Sequence, residues 1–284
     1  MADQVPDFRV GIEAELWLRT QPRHVPQVIA ARAALRVFPL LSVATARLGD
    51  RYAEDLVLPV LRALASPLLA NGLKRKGEAE QARAAGSVRA AASASASAAR
   101  SAPDAVDAAA IAAKAASAAA SSAIYADADG LTAASLASDT ADAARAVFAA
   151  SDDFAAPEAS RVAFTAFAAA ASSDAAAFAD GAPSRSVLDR PAWPSAGEPS
   201  RPATPAWASK AWTTLRAGLE ARHDENWRVW TDWYQDRLDG KPSDWELERA
   251  RLQPPETWEA GPKILNAAIA ERLAQIEAER RAAA

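Results

Sequence analysis

The stretch WRVWTDWY, residues 227–234, carries three tryptophans at intervals of three residues and a tyrosine directly after the last of them. On an α-helix, at about 100° per residue, Trp227, Trp230, Trp233 and Tyr234 share an arc of about 120°. Charged residues fall on the opposite face, and Gly240 follows where a helix can end in the left-handed conformation. The stretch therefore predicts an amphipathic helix with an aromatic stripe.

Two interpretations of this stripe stay open. Aromatic side chains at helical spacing usually fill a core, because each buries about 150–250 Å², and this interpretation is favoured for most of the stripe. Trp, Tyr and Arg are also common anchors of protein interfaces, so the stripe is alternatively a docking surface. The interaction candidates are Trp230, Trp233, Tyr234 and Arg237. Trp233, at the edge of the arc beside Arg237, is the side chain expected to be partly exposed.

Helix signals continue on both sides of the stripe. Residues 224–226 (Asp-Glu-Asn) are predicted to supply the N-cap of its helix. Ser243 or Asp244 is predicted to cap a short helix that runs to Arg251, and a last helix is predicted from Gly261–Pro262. The C-terminal part of the chain therefore reads as a compact helical module.

Composition divides the chain into four regions. Residues 1–73 resemble ordinary globular sequence and form a predicted N-terminal helical region. The region 74–181 is rich in alanine, which makes up 47 of the 100 residues from position 81 to 180. A proline-rich linker is predicted at 182–205, and the region 206–284 is predicted as a tryptophan-rich helical module, since it holds seven of the nine tryptophans.

The alanine-rich region is predicted to be helical, because alanine has the highest intrinsic helix propensity. Glycine, proline and acidic breakers divide it into segments at 75–101, 104–126, 131–151 and 157–179. Small side chains let such helices pack closely, as in an array of helical hairpins. The alternative is a low-complexity tract without fixed structure.

The N-terminal region is predicted to contain two or three amphipathic helices. Apolar residues recur at helical spacing over Val25–Leu41 and over Arg51–Leu69. Asp50 is predicted as the N-cap of the second of these, and two prolines inside it are expected to kink or shorten it. The segment 8–18 (FRVGIEAELWL) reads as a short strand or a first helix, and the helix is favoured.

The sequence offers little for catalysis. It has no cysteine and two histidines, His24 and His223, so thiolate chemistry and histidine-rich metal sites are excluded. His223 precedes Asp224, but adjacent residues on a helix do not face one another, and a helix-end role is favoured. No phosphate-binding glycine loop, nucleophile elbow or zinc-protease motif occurs. No catalytic residue, cofactor or metal is predicted, and an enzyme is disfavoured.

The charge distribution gives no sign of a nucleic-acid partner. The formal net charge is −4, and the basic tract KRKGEAEQAR at 74–83 lacks the aromatic side chains on which bases stack. The early residues have no apolar run after a basic start, and no uncharged stretch approaches the roughly 20 residues of a membrane span. A cytoplasmic location is expected.

The motif W-x-x-W-x-x-W-Y-x-x-R-L-x-G at 227–240, followed by W-E-x-G-P-x-x-x-N at 258–266, resembles the C-terminal module of an uncharacterised family in alphaproteobacteria. Members of that family also carry an alanine-rich helical tract and a proline- and tryptophan-containing linker upstream. The resemblance implies a recurrent pairing of these parts in a bacterial protein. It implies no activity and no catalytic residue.

Together these patterns predict an all-α protein with long alanine-rich helices and a compact tryptophan-rich module. The expected function is that of a protein-interaction or assembly component, which binds a protein partner or self-associates through its helix faces. The alternative is a membrane-active effector whose weakly apolar helices enter or perturb a bilayer after a trigger. Acidic residues in every segment make unprompted insertion costly.

Overall fold

The fold is all-α, as the sequence predicts. A computed structural model of the protein describes residues 5–22, 24–42, 49–72, 157–195 and 197–284. Helix makes up 73% of this part and extended structure 1%, without a sheet among these residues, which confirms the class. The predicted helices at 75–101, 104–126 and 131–151 lie outside the described residues.

The N-terminal region contributes three α-helices. They are α1 (Gly11–Thr20), α2 (His24–Val37) and α3 (Leu58–Gly72). A 3₁₀ turn at Phe38–Leu41 continues α2. The helical interpretation of the segment 8–18 is confirmed, with the helix beginning and ending slightly later than predicted.

The prediction that Asp50 caps a helix over 51–69 is wrong. Asp50 lies inside a 3₁₀ turn, Gly49–Arg51, and a π-helical turn, Ala53–Val57, follows without a side-chain cap. The α-helix begins at Leu58, whose N–H group donates back to the carbonyl of Ala53, and Pro59 is its second residue. A widened turn therefore leads into α3.

The last alanine-rich helix is confirmed with the predicted bounds. Helix α4 (Pro157–Ala179) begins at a proline, which is pre-set for the first helical position. It ends before Gly181, which adopts a left-handed φ of 82°. A short helix, α5 (Ser184–Leu188), follows inside the proline-rich segment.

The C-terminal region forms five helices. They are α6 (Ala206–Glu220), α7 (Arg228–Asp239), α8 (Trp245–Arg249), α9 (Pro255–Glu259) and α10 (Pro262–Ala283). Asp244 caps α8 as predicted, since its side chain accepts from the N–H groups of Glu246 and Leu247. Gly240 ends α7 with a left-handed φ of 71°.

The predicted N-cap of α7 at residues 224–226 is wrong. Trp227 occupies the N-cap position, and no side chain caps this end. Asn226 takes a left-handed φ of 49°, which asparagine tolerates better than most residues, and it turns the chain into the helix. The aromatic stripe therefore begins at the cap itself.

Helix α2 lies at the centre of the core. Its residues from Val25 to Val37 are all buried, and it packs against α3, α4 and α5. Most of these residues are apolar, and the buried polar ones are Gln27, Arg32 and Arg36. The 3₁₀ turn that continues α2 packs against α6, so the central helix reaches the C-terminal module directly.

The proline-rich segment at 182–205 packs into the same core. Val187 and Trp193 are buried, and the Trp193 ring meets the Trp207 ring edge-on at 5.5 Å. An isolated bridge joins Pro194 and Pro202, and the chain folds back on itself there. Residues from every described region thus pack into one hydrophobic core. This core extends across the boundaries that composition suggests.

Candidate interaction surface

The aromatic stripe of α7 lies in the core. Trp227, Trp230, Tyr234 and Leu238 are all buried, which confirms the core interpretation. Trp233 is 2% exposed, so the expectation that it is partly exposed is wrong. Helix α8 covers the edge of the aromatic arc. This tertiary contact cannot be predicted from the sequence of α7 alone.

The two tryptophan N–H groups in the middle of the stripe have partners inside the protein. Trp230 donates from Nε1 to Oδ1 of Asn266 at 2.9 Å, and Trp233 donates from Nε1 to Oε2 of Glu248 at 2.7 Å. Buried polar groups are costly without such partners. These side chains are therefore engaged within the fold, by α10 and α8.

Tyr234 connects the stripe to the N-terminal region. Its hydroxyl donates to the carbonyl of Leu35 at 2.8 Å, and its ring contacts Phe38 and Trp212 with centroids 4.7 and 4.5 Å away. Burial raises the pKa of the Tyr234 hydroxyl well above its ordinary value of 10.0. The side chain is a neutral donor between α2 and α7.

Arg237, the fourth interaction candidate, is buried as well. It donates to Oγ of Ser243, and it lies 3.8 Å from a carboxylate oxygen of Glu248. Arg251 lies on the other side of Glu248, at 3.9 Å, and its guanidinium group stands 5.8 Å from the Trp233 ring centroid. Burial lowers the pKa of Arg251, and the charge of Glu248 opposes that change. Arg237 thus belongs to a buried charge network.

A second buried charge network joins α2 and α4. Asp174 accepts through Oδ2 from Nε of Arg32 at 2.8 Å and from Nη2 of Arg36 at 2.5 Å. Burial alone would raise the pKa of Asp174, but the two guanidinium groups outweigh burial and hold it below the ordinary value of 3.8. Burial lowers the pKa of Arg36 to about 10, against the attraction of Asp174.

The same two arginines also tie down the proline-rich segment. Arg32 donates to the carbonyls of Arg190 and Pro191 at 2.9 and 2.6 Å, and Arg36 donates to the carbonyl of Ala192 at 2.7 Å. One network thereby fixes α2, α4 and the segment after α5. Its charges are used in holding the fold together.

No metal centre is apparent in the part of the chain that the structure describes, where no three His, Cys, Asp or Glu side chains are placed to hold an ion. His24 opens α2, with its ring 6.1 Å from that of Phe178. His223 is exposed in the turn after α6. The two histidines therefore lie in different parts of the fold.

The exposed apolar surface is concentrated on α1. Ile12 is 68% exposed and Leu16 59% exposed, four residues apart on one face of the helix, which we name the α1 outer face. The inward face of α1 buries Ala14, Trp17 and Leu18. Among the described residues the exposed large apolar side chains are Val10, Ile12, Leu16, Val162 and Ile264.

The α1 outer face was not singled out by the sequence patterns, although a signal for it exists. The segment 8–18 carries more apolar residues than one helical stripe can hold, which also makes it readable as a strand. Ile12 and Leu16 form a second stripe beside the buried one. This second stripe is exposed to solvent, whereas the first is buried.

A shallow cleft lies between the segment before α1 and helix α4. Its walls come from Val5, Pro6, Asp7 and Arg9 on one side and from small residues of α4 on the other, namely Thr165, Ala168, Ala169 and Ser172. Ser172 donates from Oγ to the carbonyl of Pro6 at 3.1 Å, across the cleft. Asp7 and Arg9 pair with each other at 2.6 Å. The cleft shows no converging set of reactive groups.

Comparison of the chain with protein-family models, curated proteins and solved structures gave no match.

Proposed function

We propose that the protein is a non-enzymatic helical interaction or assembly component, and that the α1 outer face is its contact surface. The observation that carries the proposal is the exposure of Ile12 and Leu16 beside a fully packed inward face. Contiguous exposed apolar side chains on a soluble protein mark interaction sites. The partner is a protein, either a different chain or another copy of this one.

The pairing of the buried carboxylates within the fold supports a structural role for these residues. Asp174 and Glu248, both buried, are each paired with arginines and hydrogen-bonded within the fold. A catalytic group needs access to a substrate and a partner placed to exchange a proton with it. These carboxylates instead connect helices, as α2 connects with α4 and α7 with α8.

The proposal is tested by affinity capture from the native cell, with the full chain as bait. Bait that carries Ile12→Glu and Leu16→Glu places two charges on the α1 outer face. A protein retained by the unchanged bait should be lost from this variant, as identified by mass spectrometry. Retention of the same proteins by both baits would contradict the proposal.

Ile264→Glu provides the matched control. Ile264 is 55% exposed on α10, so the change introduces the same charge at another exposed apolar position. The captured partner should persist with this bait. Circular dichroism of each bait should show the same helix content.

A membrane-perturbing effector remains the second candidate function, and helix α4 favours it. Residues Arg161–Ala179 have a mean hydropathy of 1.4 and the length needed to cross a bilayer. A core helix of a soluble protein meets the same criterion. Asp174, five residues before the end of this helix, pairs with Arg32 and Arg36, and these ion pairs oppose the release of the helix.

A dye-release assay with lipid vesicles separates the two candidates. A membrane effector would release dye once α4 is freed, and Asp174→Asn is the change that weakens its attachment to α2. Mild acid is a poor trigger, because the pKa of Asp174 is held below 3.8. Dye retention with both the unchanged chain and Asp174→Asn would argue for the interaction component.

A further inference from the structure

The charge network between α2 and α4 contains two polar atoms that are buried without a partner among the described residues. They are Nη1 of Arg36 and Oδ1 of Asp174, and both side chains are fully enclosed. The other nitrogens of Arg36 are paired, because Nε donates to the carbonyl of Ala192 and Nη2 donates to Asp174 and to the carbonyl of Ala170. A donor and an acceptor are therefore left over inside the core.

The leftover donor and acceptor lie on either side of one ion pair. Nη2 of Arg36 and Oδ2 of Asp174 are 2.5 Å apart. Nη1 is bonded to the same carbon as Nη2, and Oδ1 is bonded to the same carbon as Oδ2. The short hydrogen bond thus holds the two unpaired atoms close to each other.

Unpaired atoms of charged groups destabilise a core, because each has lost its hydrogen bonds to water and gained none in return. Folded proteins commonly satisfy such atoms with an internal water molecule, which makes about three hydrogen bonds and occurs about once in 27 residues. Water can accept a hydrogen bond and donate one at the same time. It therefore matches a site that offers one donor and one acceptor.

We propose that one buried water molecule bridges Arg36 and Asp174, accepting a hydrogen bond from Nη1 and donating one to Oδ1. A chloride ion fits the site less well, because it would accept from Arg36 but would lie against the negative oxygen of Asp174. The bridging water completes the contact between α2 and α4. It shares no residue with the α1 outer face, so the inference stands apart from the proposed function.

The side chains around Asp174 are suited to a small ligand. The buried residues of α4 within one turn of Asp174 are all alanines, namely Ala170, Ala171 and Ala175. A methyl group fills little of the space beside two planar charged groups. The ring of Trp193 lies 5.9 Å from the guanidinium carbon of Arg36, and its Nε1 is also buried without a partner in the part of the chain described. The site thus has a further donor nearby.

The bridging water should be long-lived. Both of its ligands are fully enclosed, and the carbonyls of the segment after α5 close over the same arginines. The water can exchange with solvent only when these elements separate. Its exchange rate therefore reports how often α4 leaves α2.

A high-resolution crystal structure of the full chain tests the proposal without any variant. It should show one water within about 3.2 Å of both Nη1 of Arg36 and Oδ1 of Asp174. A direct bond between these two atoms, or protein partners for both with no density between them, would overturn the proposal. Crystals grown with bromide in place of chloride provide a second arm. An anomalous peak at the site would identify an anion and overturn water as the ligand.

Oxygen-17 magnetic relaxation dispersion tests the same site in solution, because it counts long-lived internal water molecules. Arg36→Met removes Nη1 and should lower the count by one relative to the unchanged protein. Arg190→Met is the matched control, since Arg190 donates to Ser173 and to neither unpaired atom, and its count should not change. An unchanged count in folded Arg36→Met would contradict the bridge. If that variant does not fold, the crystal structure of the unchanged protein decides alone.

Discussion

Asp174 illustrates how a single buried charge holds distant parts of the chain together. Its side chain is fully enclosed, and both Arg32 and Arg36 donate to the same carboxylate oxygen. Replacing Asp174 by asparagine keeps the shape but leaves two arginines without a counter-charge. Removing one partner of a buried pair costs about 3–5 kcal/mol. Urea unfolding should show a loss of this size in the free energy of unfolding.

The control for Asp174→Asn is the same change at Asp180, which is exposed after the end of α4. Exposed substitutions usually stay within about 0.5 kcal/mol. Similar losses at the two positions would contradict the structural role of the Arg32–Asp174–Arg36 network.

The pH dependence of this network follows from the direction of the Asp174 pKa. Its folded-state pKa lies below the ordinary value of 3.8, so its stabilising effect is present above pH 4 and is lost as the pH falls through the folded-state pKa. The difference in stability between the unchanged protein and Asp174→Asn should therefore persist at pH 5 and shrink only in stronger acid.

Contacts of this kind cannot be predicted from one sequence. Arg32 and Asp174 are separated by 142 positions, and no local pattern links them. The same limit explains Trp233. Its place at the edge of the α7 stripe is readable from helical spacing, but the cover supplied by Glu248 on α8 is a tertiary contact.

At the scale of a helix, Gly240 determines how α7 ends. It has a φ of 71°, and an added Cβ would collide with the backbone and ring of Pro191. A left-handed conformation costs an L-residue about 1–2 kcal/mol, and the collision adds to this cost at Gly240. The free energy of unfolding should therefore fall further for Gly240→Ala than the backbone conformation alone explains.

Gly181→Ala is the matched control for Gly240→Ala. Gly181 has a φ of 82°, and an added Cβ would meet no atom within 4 Å. Its replacement should cost the conformational term alone. If both alanine variants lose the same stability in urea unfolding, the contact with Pro191 contributes nothing.

Asp244 makes the junction of α8 and α10 sensitive to acid. Hydrogen bonds from Arg280, together with the N–H groups of Leu247 and Glu246, lower its pKa to about 2. A depressed pKa stabilises the folded state above pH 4, and this effect disappears as the pH falls toward 2. Carboxyl NMR should show the Asp244 titration near pH 2.

Arg280→Gln removes the main cause of this shift. The titration midpoint of Asp244 should move upward toward 3.8 in that variant. Arg281→Gln, at the neighbouring arginine, should leave the midpoint near 2. A midpoint that stays near 2 in Arg280→Gln would show that the N–H groups of α8 lower the pKa of Asp244 without help from α10.

At the scale of the whole molecule, helix positions were more predictable than their assembly. The bounds 157–179 were readable because proline and glycine interrupt an alanine-rich helix on both sides. The segment 182–205 reads as a linker by its prolines, yet it buries Trp193 in the core. Composition reflects local conformational preference, whereas the burial of a segment depends on which other parts of the chain pack against it.

The tryptophan-rich module should not fold without the N-terminal helices. Tyr234 donates to the carbonyl of Leu35 and packs against the Phe38 ring, and α6 packs on the turn that follows α2. A fragment of residues 206–284 would expose this apolar surface to water. We expect that the fragment lacks the near-ultraviolet circular dichroism of ordered tryptophans and shows no cooperative unfolding. In the full chain, far-ultraviolet dichroism and tryptophan fluorescence should report one coincident transition.

A chain that lacks residues 281–284 is the control for that experiment. These residues are exposed at the end of α10, so their removal should leave the transition unchanged. A fragment 206–284 with ordered tryptophans and a cooperative transition would show that the module is an independent domain. The contacts of Tyr234 with α2 would then be an interface between domains, and changing Tyr234 to phenylalanine should lower the stability of the full chain but not that of the fragment.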